Sequence, residues 1–256
     1  MSDQPEIGAP TAFLPALTAV YAGTLSRARA ARAPLLFVAS LQSIGLIVLM
    51  RAIVESKAKP EQAQLVAGAT ILVVAFVALN LLAQRIGALK GRGALDYYAA
   101  MPVPPAAVVL GLTCGYATFT LPGTVVTAGV GVLLYDLPIA HVWVLIPAVV
   151  LAGAALSGVG AVLGLLMPRP ELATVAGQLG MTAVLFLDLV RAARLPLAVR
   201  VLRAGVPSTY AADALAAAFA KEPDFSVVAV DLAISAVIAV LALVAASRAW
   251  HRAVRP

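Results

Sequence analysis

Apolar residues fill long windows of this chain, and polar residues gather in the gaps between them. The windows lie at about 34–53, 64–83, 106–134, 142–166, 173–189 and 227–246. Each approaches or exceeds the ~20 residues that an α-helix needs to cross a hydrocarbon layer roughly 30 Å thick, and the third is long enough to be tilted or kinked near Pro122. The pattern predicts an all-α integral membrane protein with six transmembrane helices, organised as one transmembrane domain over residues 1–256.

The gaps carry shorter elements. Across 11–32, Leu14, Leu17, Tyr21 and Leu25 recur at helical spacing and the segment closes on Arg27, Arg29 and Arg32, which suits a helix lying in the membrane interface. Between spans five and six, residues 190–224 predict a hairpin of two short helices on the outer side, broken at Gly205-Val206-Pro207, with Ser208 as the second helix's N-cap. The stretch GRGALDYYAAMPVPP, residues 91–105, separates spans two and three. There Gly91 and Gly93 break the preceding helix, Leu95, Tyr98 and Ala99 share one face, and Pro102 stops the turn, so a short rigid projection is expected.

Composition sharpens the picture. The chain is 62% hydrophobic and 12% charged, about half the usual charge of a soluble domain, which excludes a soluble core. Its start, MSDQPEIGAP, lacks a basic n-region, an apolar h-region and a cleavage site, so the N-terminus is expected to be retained. The single cysteine, Cys114, lies in an apolar run and excludes an intrachain disulfide or a cysteine metal cluster.

The formal charge of +6 comes from bases at span edges, where they orient the protein and meet lipid headgroups. No basic stripe with interleaved aromatics suggests nucleic acid. An even number of spans puts both termini on one side. With that side cytosolic, the inner segments carry Arg27, Arg29, Arg32, Arg85, Lys90, Arg92, Arg169, Arg248, Arg252 and Arg255. The outer ones carry Arg51, Lys57, Lys59, Arg191, Arg194, Arg200, Arg203 and Lys221. The excess is small because Arg191, Arg194, Arg200 and Arg203 follow span five; lying on the membrane surface, they can snorkel to headgroups.

Polar residues within the spans need protein or cavity partners, because lipid offers none. They include Gln42, Ser43, Asn80, Gln178, Thr182 and a run of threonines, Thr113, Thr118, Thr120, Thr124 and Thr127, which can also return their hydroxyls to their own helix. Asp188 and Arg191, three apart, can pair at the outer boundary. Gly160-x-x-x-Gly164 and Ala154-x-x-x-Gly158 offer shallow grooves for close packing within the chain. His141 and His251 have no ligand-spaced neighbours.

LDYYAAMPVPPAAVVLG, from Leu95 onward, resembles the cytosolic segment before the third span of ABC-2 type transporter permeases, with their Leu-(Asp/Glu)-Tyr-x-x-x-x-Pro-(Val/Ile) pattern. LSGVGAVLGLLMPRPELA is similar to that family's Gly-rich fourth span and Pro-flanked turn, VPSTYAADAL to the segment before its last span, and basic residues close the chain. One departure stands out: LFLDLVRAARLPLAV carries Asp188 and Arg191 where many members have a Gly-Pro patch.

The resemblance implies the membrane subunit of an exporter in the bacterial plasma membrane, with both termini cytosolic. Leu95, Asp96, Tyr97, Tyr98 and Met101 would form the coupling helix that meets an ATP-binding subunit, and Arg169 and Glu171 a second cytosolic turn. A path along spans two and five would carry Asn80, Gln178, Thr182 and Asp188. Two ATP-binding subunits and a second permease chain, identical or related, are implied as partners within membrane lipid. The sequence has no Gly-x-x-x-x-Gly-Lys-(Ser/Thr) loop, so no cofactor is expected on this chain, and ATP and Mg2+ belong to the partner. Hydrophobic drugs, lipids and glycan precursors all suit an apolar path. An ion-coupled carrier would need midspan carboxylates, whereas Asp188 and Asp231 lie near span ends, and a membrane hydrolase would need clustered acids or histidines.

Overall fold

The computed structural model describes residues 12–27, 29–53, 58–95, 103–189, 196–220 and 222–254. Regular structure among them is helical: α1 (Phe13–Arg27), α2 (Arg29–Ile53), α3 (Lys59–Gly91), α4 (Pro105–Tyr135), α5 (Leu145–Leu166), α6 (Pro170–Asp188), α7 (Leu197–Ala204), α8 (Thr209–Ala218) and α9 (Phe225–Val254). Five of these, α3, α4, α5 with the 3₁₀ turn Val142–Val144 ahead of it, α6 and α9, are long and apolar enough to cross a membrane. The expected first span falls on α2, whose apolar stretch Leu36–Ala52 is shorter.

Prolines set where the long helices begin. Pro60, Pro105 and Pro170 sit in the first turns of α3, α4 and α6, where a missing N–H leaves no bond unmade. α4 ends on Asp136, left-handed at φ 50°, and the Leu137 N–H donates back to the Val132 carbonyl at 3.1 Å. α3 ends at Gly91 with Arg92 as its cap, and Gly93, left-handed at φ 67°, turns the chain away, so the break expected at Gly91 and Gly93 belongs to Gly93. Gly91 remains helical and matters for packing instead. A Cβ there would meet Pro170 Cγ at 2.5 Å, so its bareness lets α3 touch the start of α6.

α3 is the axis of the bundle. It is apolar on every side, and 83% of its most apolar window is buried, against 17% for α9. α5 packs beside it, and α4, α6, α8 and α9 surround the pair. One buried cluster joins Ile71, Leu72, Leu156 and Leu215; a second, toward the end of α9, joins Leu82, Ile86, Leu165 and Trp250.

Glycines permit this closeness. A Cβ at Gly158 would lie 2.7 Å from Ala242 Cβ, at Gly160 2.5 Å from the Leu79 carbonyl oxygen, and at Gly164 2.8 Å from that of Ala83. The small-residue face of span four is therefore used inside the chain. A second such face, Gly111 and Gly115 on α4, receives Val20 and Thr24 of α1, and the Tyr21 and Thr118 hydroxyls lie 3.3 Å apart. The helix expected over 11–32 corresponds to α1, Phe13–Arg27, with Arg29 and Arg32 falling in α2 instead; α1 is strapped along the first half of α4, while its Leu14 stays 70% exposed.

Near its middle α3 widens into a π segment, Ala75–Leu81. Such insertions shift carbonyls out of the regular ladder and concentrate at functional sites. Gly160 of α5 faces the Ala78 and Leu79 carbonyls of this segment, and Gly177 of α6 faces Asn80 within it.

Candidate functional site

The π segment brings two of the expected path residues together. Asn80, 2% exposed, donates from Nδ2 to Gln178 Oε1 at 3.4 Å and accepts at Oδ1 from Gln84 Nε2 at 2.9 Å. Gly177 makes room, since a Cβ there would lie 2.9 Å from Asn80 Oδ1. Gln178 is exposed on the outside of the bundle. A row of amides thus runs from the buried axis to the surface of α6. Thr182 donates to the Gln178 carbonyl of its own helix at 2.8 Å. Thr113, Thr118, Thr120 and Thr124 likewise donate to carbonyls of α4, so their protons are engaged by their own helix.

Asp188 lies elsewhere, ten residues beyond Gln178 along α6, or about 15 Å at 1.5 Å per residue. It is fully buried and accepts from the Ser208 hydroxyl at Oδ2 and from Thr209 at 2.9 Å on Oδ1. Ser208, expected as an N-cap, sits at that position but makes no cap bond; its hydroxyl serves Asp188. The pairing expected with Arg191 lies outside the described residues.

The ion pair beside Asp188 is Arg203 with Asp213. Arg203 Nη1 and Nη2 donate to Asp213 Oδ2 and Oδ1 at 2.7 and 2.6 Å, and Nε donates to the Leu187 carbonyl at 2.7 Å. Gln64 Nε2 reaches the Asp188 carbonyl at 3.0 Å and Asp213 Oδ1 at 3.1 Å. Burial opposes the Arg203 charge, but the Asp213 bonds, with the fields of Asp188 and Asp231, hold its pKa above the ordinary value. α7 and α8 are therefore locked onto α3 and α6. Arg203→Ala is expected to destabilise the protein by about 2–3 kcal/mol, short of the ~3–5 of a fully buried pair because Asp213 keeps 30% exposure. The thermal midpoint in detergent measures it, and an unchanged midpoint would contradict the lock.

Arg203 illustrates a device the sequence did not reveal. Helix C-termini leave carbonyls unpaired, and cations satisfy them. Arg51 and Lys59 donate to the end of α4, Arg51 to the Leu134 carbonyl and Lys59 to those of Tyr135 and Asp136 at 2.7 and 2.9 Å. Lys90 donates to the Leu165 and Met167 carbonyls at the end of α5, at 2.8 and 3.0 Å. Arg203 does the same for α6. Donor and acceptor lie far apart in sequence, from 16 residues for Arg203 to 83 for Arg51, so no local pattern points to them.

The end of the bundle where α9 finishes carries the turns expected to meet a partner. Leu95, 3% exposed, packs with Ile86, Leu89, Val108 and Trp250, and so anchors the segment that follows it. Asp96, Tyr97, Tyr98 and Met101 lie outside the described residues. Arg169 and Glu171 are exposed beside the start of α6. A cavity of about 400 Å³ opens at this level between α2, α3, α4 and α6, walled by Leu36, Val77, Leu81 and Phe119, with Arg85, Gln84 and Tyr116 among its polar groups. At the opposite end, a vestibule of about 810 Å³ is lined by Lys59 and by Asp136, Asp213, Glu222, Asp224 and Asp231.

No curated protein matches the chain. A family model described as ABC-2 family transporter protein matches residues 13–248, from the first residue of α1 to within the last turns of α9, and the chain belongs to that family of membrane transporter subunits.

Proposed function

We propose that this chain is the permease subunit of an ABC-type exporter that moves a hydrophobic or amphipathic substrate, a drug, lipid or glycan precursor, out of a bacterial cell. Two copies, or this chain and a related one, form the path. Two ATP-binding subunits carrying ATP and Mg2+ drive it. α2, α3, α4, α5, α6 and α9 serve as its spans, with both termini cytosolic. The observation that carries this reading is the family match across residues 13–248, joined to a sequence without a phosphate-binding loop of its own.

The geometry supports it in two ways. The segment after Leu95 starts from an anchored residue, so force applied to it enters the buried cluster of α3, α4, α5 and α9 directly. The amide row Asn80, Gln84 and Gln178 lies across α3 and α6, the two spans expected to flank the path. ATP binding that closes the soluble pair would then favour one exposure of the path over the other, by the difference in contact energy between the two states.

Gentle affinity purification from the native membrane is expected to bring down a phosphate-loop ATPase at about one copy per permease chain, together with ATP hydrolysis. A chain that purifies alone under conditions that preserve other membrane complexes would overturn the assignment.

A further inference from the structure

Four cations of this protein serve helix ends: Arg51, Lys59, Lys90 and Arg203 each donate to carbonyls there. Arg85 differs. It is half-buried on α3, and among the described residues it has neither a carboxylate within ion-pair reach nor a carbonyl to cap. At the edge of a span, where the sequence places Arg85, a half-buried cation without a protein counter-charge is set to meet an anion such as a lipid phosphate.

The cavity beside it has a direction. Arg85 and Tyr116 mark its polar part, whereas Val77, Leu81 and Phe119 make its walls apolar. Val77 precedes Arg85 by eight residues on α3, about two turns deeper into the bundle. Its volume of about 400 Å³ lies within the ~300–1,000 Å³ of small-molecule sites.

We propose that this cavity binds an anionic phospholipid taken from the leaflet at the end of the bundle where α9 finishes, its phosphate on Arg85 and the first part of an acyl chain along Val77, Leu81 and Phe119. A guanidinium supplies paired donors to phosphate oxygens, and the apolar walls replace the lipid environment that the chain leaves. A zwitterionic lipid would bring its own cation against Arg85 and bind less well. That the leaflet is the cytosolic one, and that the bound lipid marks the class of cargo, rests on the exporter reading above; the binding itself does not.

The test uses the full-length chain in vesicles without nucleotide, so it is independent of any ATPase partner. A phosphatidylglycerol carrying a diazirine in one acyl chain is photolysed, and the labelled residues are mapped by mass spectrometry. Labelling is expected on the α3 and α4 peptides containing Leu81 and Phe119. Unlabelled phosphatidylglycerol should compete at least fivefold better than phosphatidylcholine at equal mole fraction. Arg85→Gln should lower the labelling at least fivefold, while Arg85→Lys keeps half or more of it. Equal competition by the two lipids in the unaltered protein, or full labelling of a folded Arg85→Gln chain, overturns the proposal, and the lipid competition decides even where that variant does not fold. An ATPase partner that co-purifies while the lipids compete equally would sink this inference and leave the exporter reading standing.

Discussion

Changing Asp96, Tyr97 and Tyr98 together to alanine is expected to lower the affinity of the chain for its ATP-binding subunit about a thousandfold and to abolish coupled ATP hydrolysis. Truncating a hot-spot tyrosine costs about 2 kcal/mol or more, and with Tyr97 and Tyr98 both acting as such anchors the combined loss amounts to roughly three decades in dissociation constant. The effect should be confined to partner binding. Leu95, which precedes these residues, is packed among Ile86, Leu89, Val108 and Trp250, so the anchor survives the triple change and the permease should keep its thermal midpoint. Leu95→Ala should do the reverse, lowering the midpoint through the cavity it leaves, at about 2–5 kcal/mol for a buried leucine. Pull-down yield and thermal unfolding, measured on both variants, separate the two effects. A triple variant that retains its ATPase at full yield would place the contact elsewhere.

The helical, membrane-spanning character was legible because lipid makes the chemistry nearly binary: only apolar helices or closed barrels satisfy the backbone there. α3 was legible as a span, whereas its place at the axis of the bundle emerged only from its burial in the structure. The family could be read too, since the motifs around Leu95, Gly160 and Ser208 occur in its order. What could not be read depends on contacts between distant residues. Arg51, Lys59 and Arg203 entered the charge count as outer bases, yet each is held by carbonyls at a helix end, so their side of the membrane reflects capping as much as orientation. That is one physical reason why the count gave a small margin.

Asp188 shows the same limit. Helical spacing offered Arg191, which lies outside the described residues, but it could not point to Ser208 and Thr209, twenty and twenty-one residues on, from which the carboxylate accepts its hydrogen bonds. The π segment was invisible for a related reason. No residue in AFVALNL breaks a helix, and the widening is matched instead to glycines on α5 and α6.

Gly160→Ala is the change that should expose this dependence most directly, and Gly129→Ala is its control. Both glycines lie in helices, where alanine is intrinsically better by about 1 kcal/mol. At Gly129 a Cβ meets nothing within 4 Å, so the propensity gain should appear as a slightly higher thermal midpoint. At Gly160 the same Cβ would lie 2.5 Å from the Leu79 carbonyl oxygen and 3.0 Å from that of Ala78, both backbone atoms of the π segment. Neither can rotate away as a side chain would. Relief requires α5 to move off α3, or the π segment to rewind and carry Asn80 away from Gln178 and Gln84. Overpacking of this kind costs about 1–3 kcal/mol, occasionally more, and here it opposes the intrinsic gain. The expected outcome is a midpoint well below that of the unaltered protein for Gly160→Ala, with transport lost before folding is. If Gly160→Ala matches Gly129→Ala in stability, α5 does not press on the π segment, and the amide row owes its position to something other than that contact.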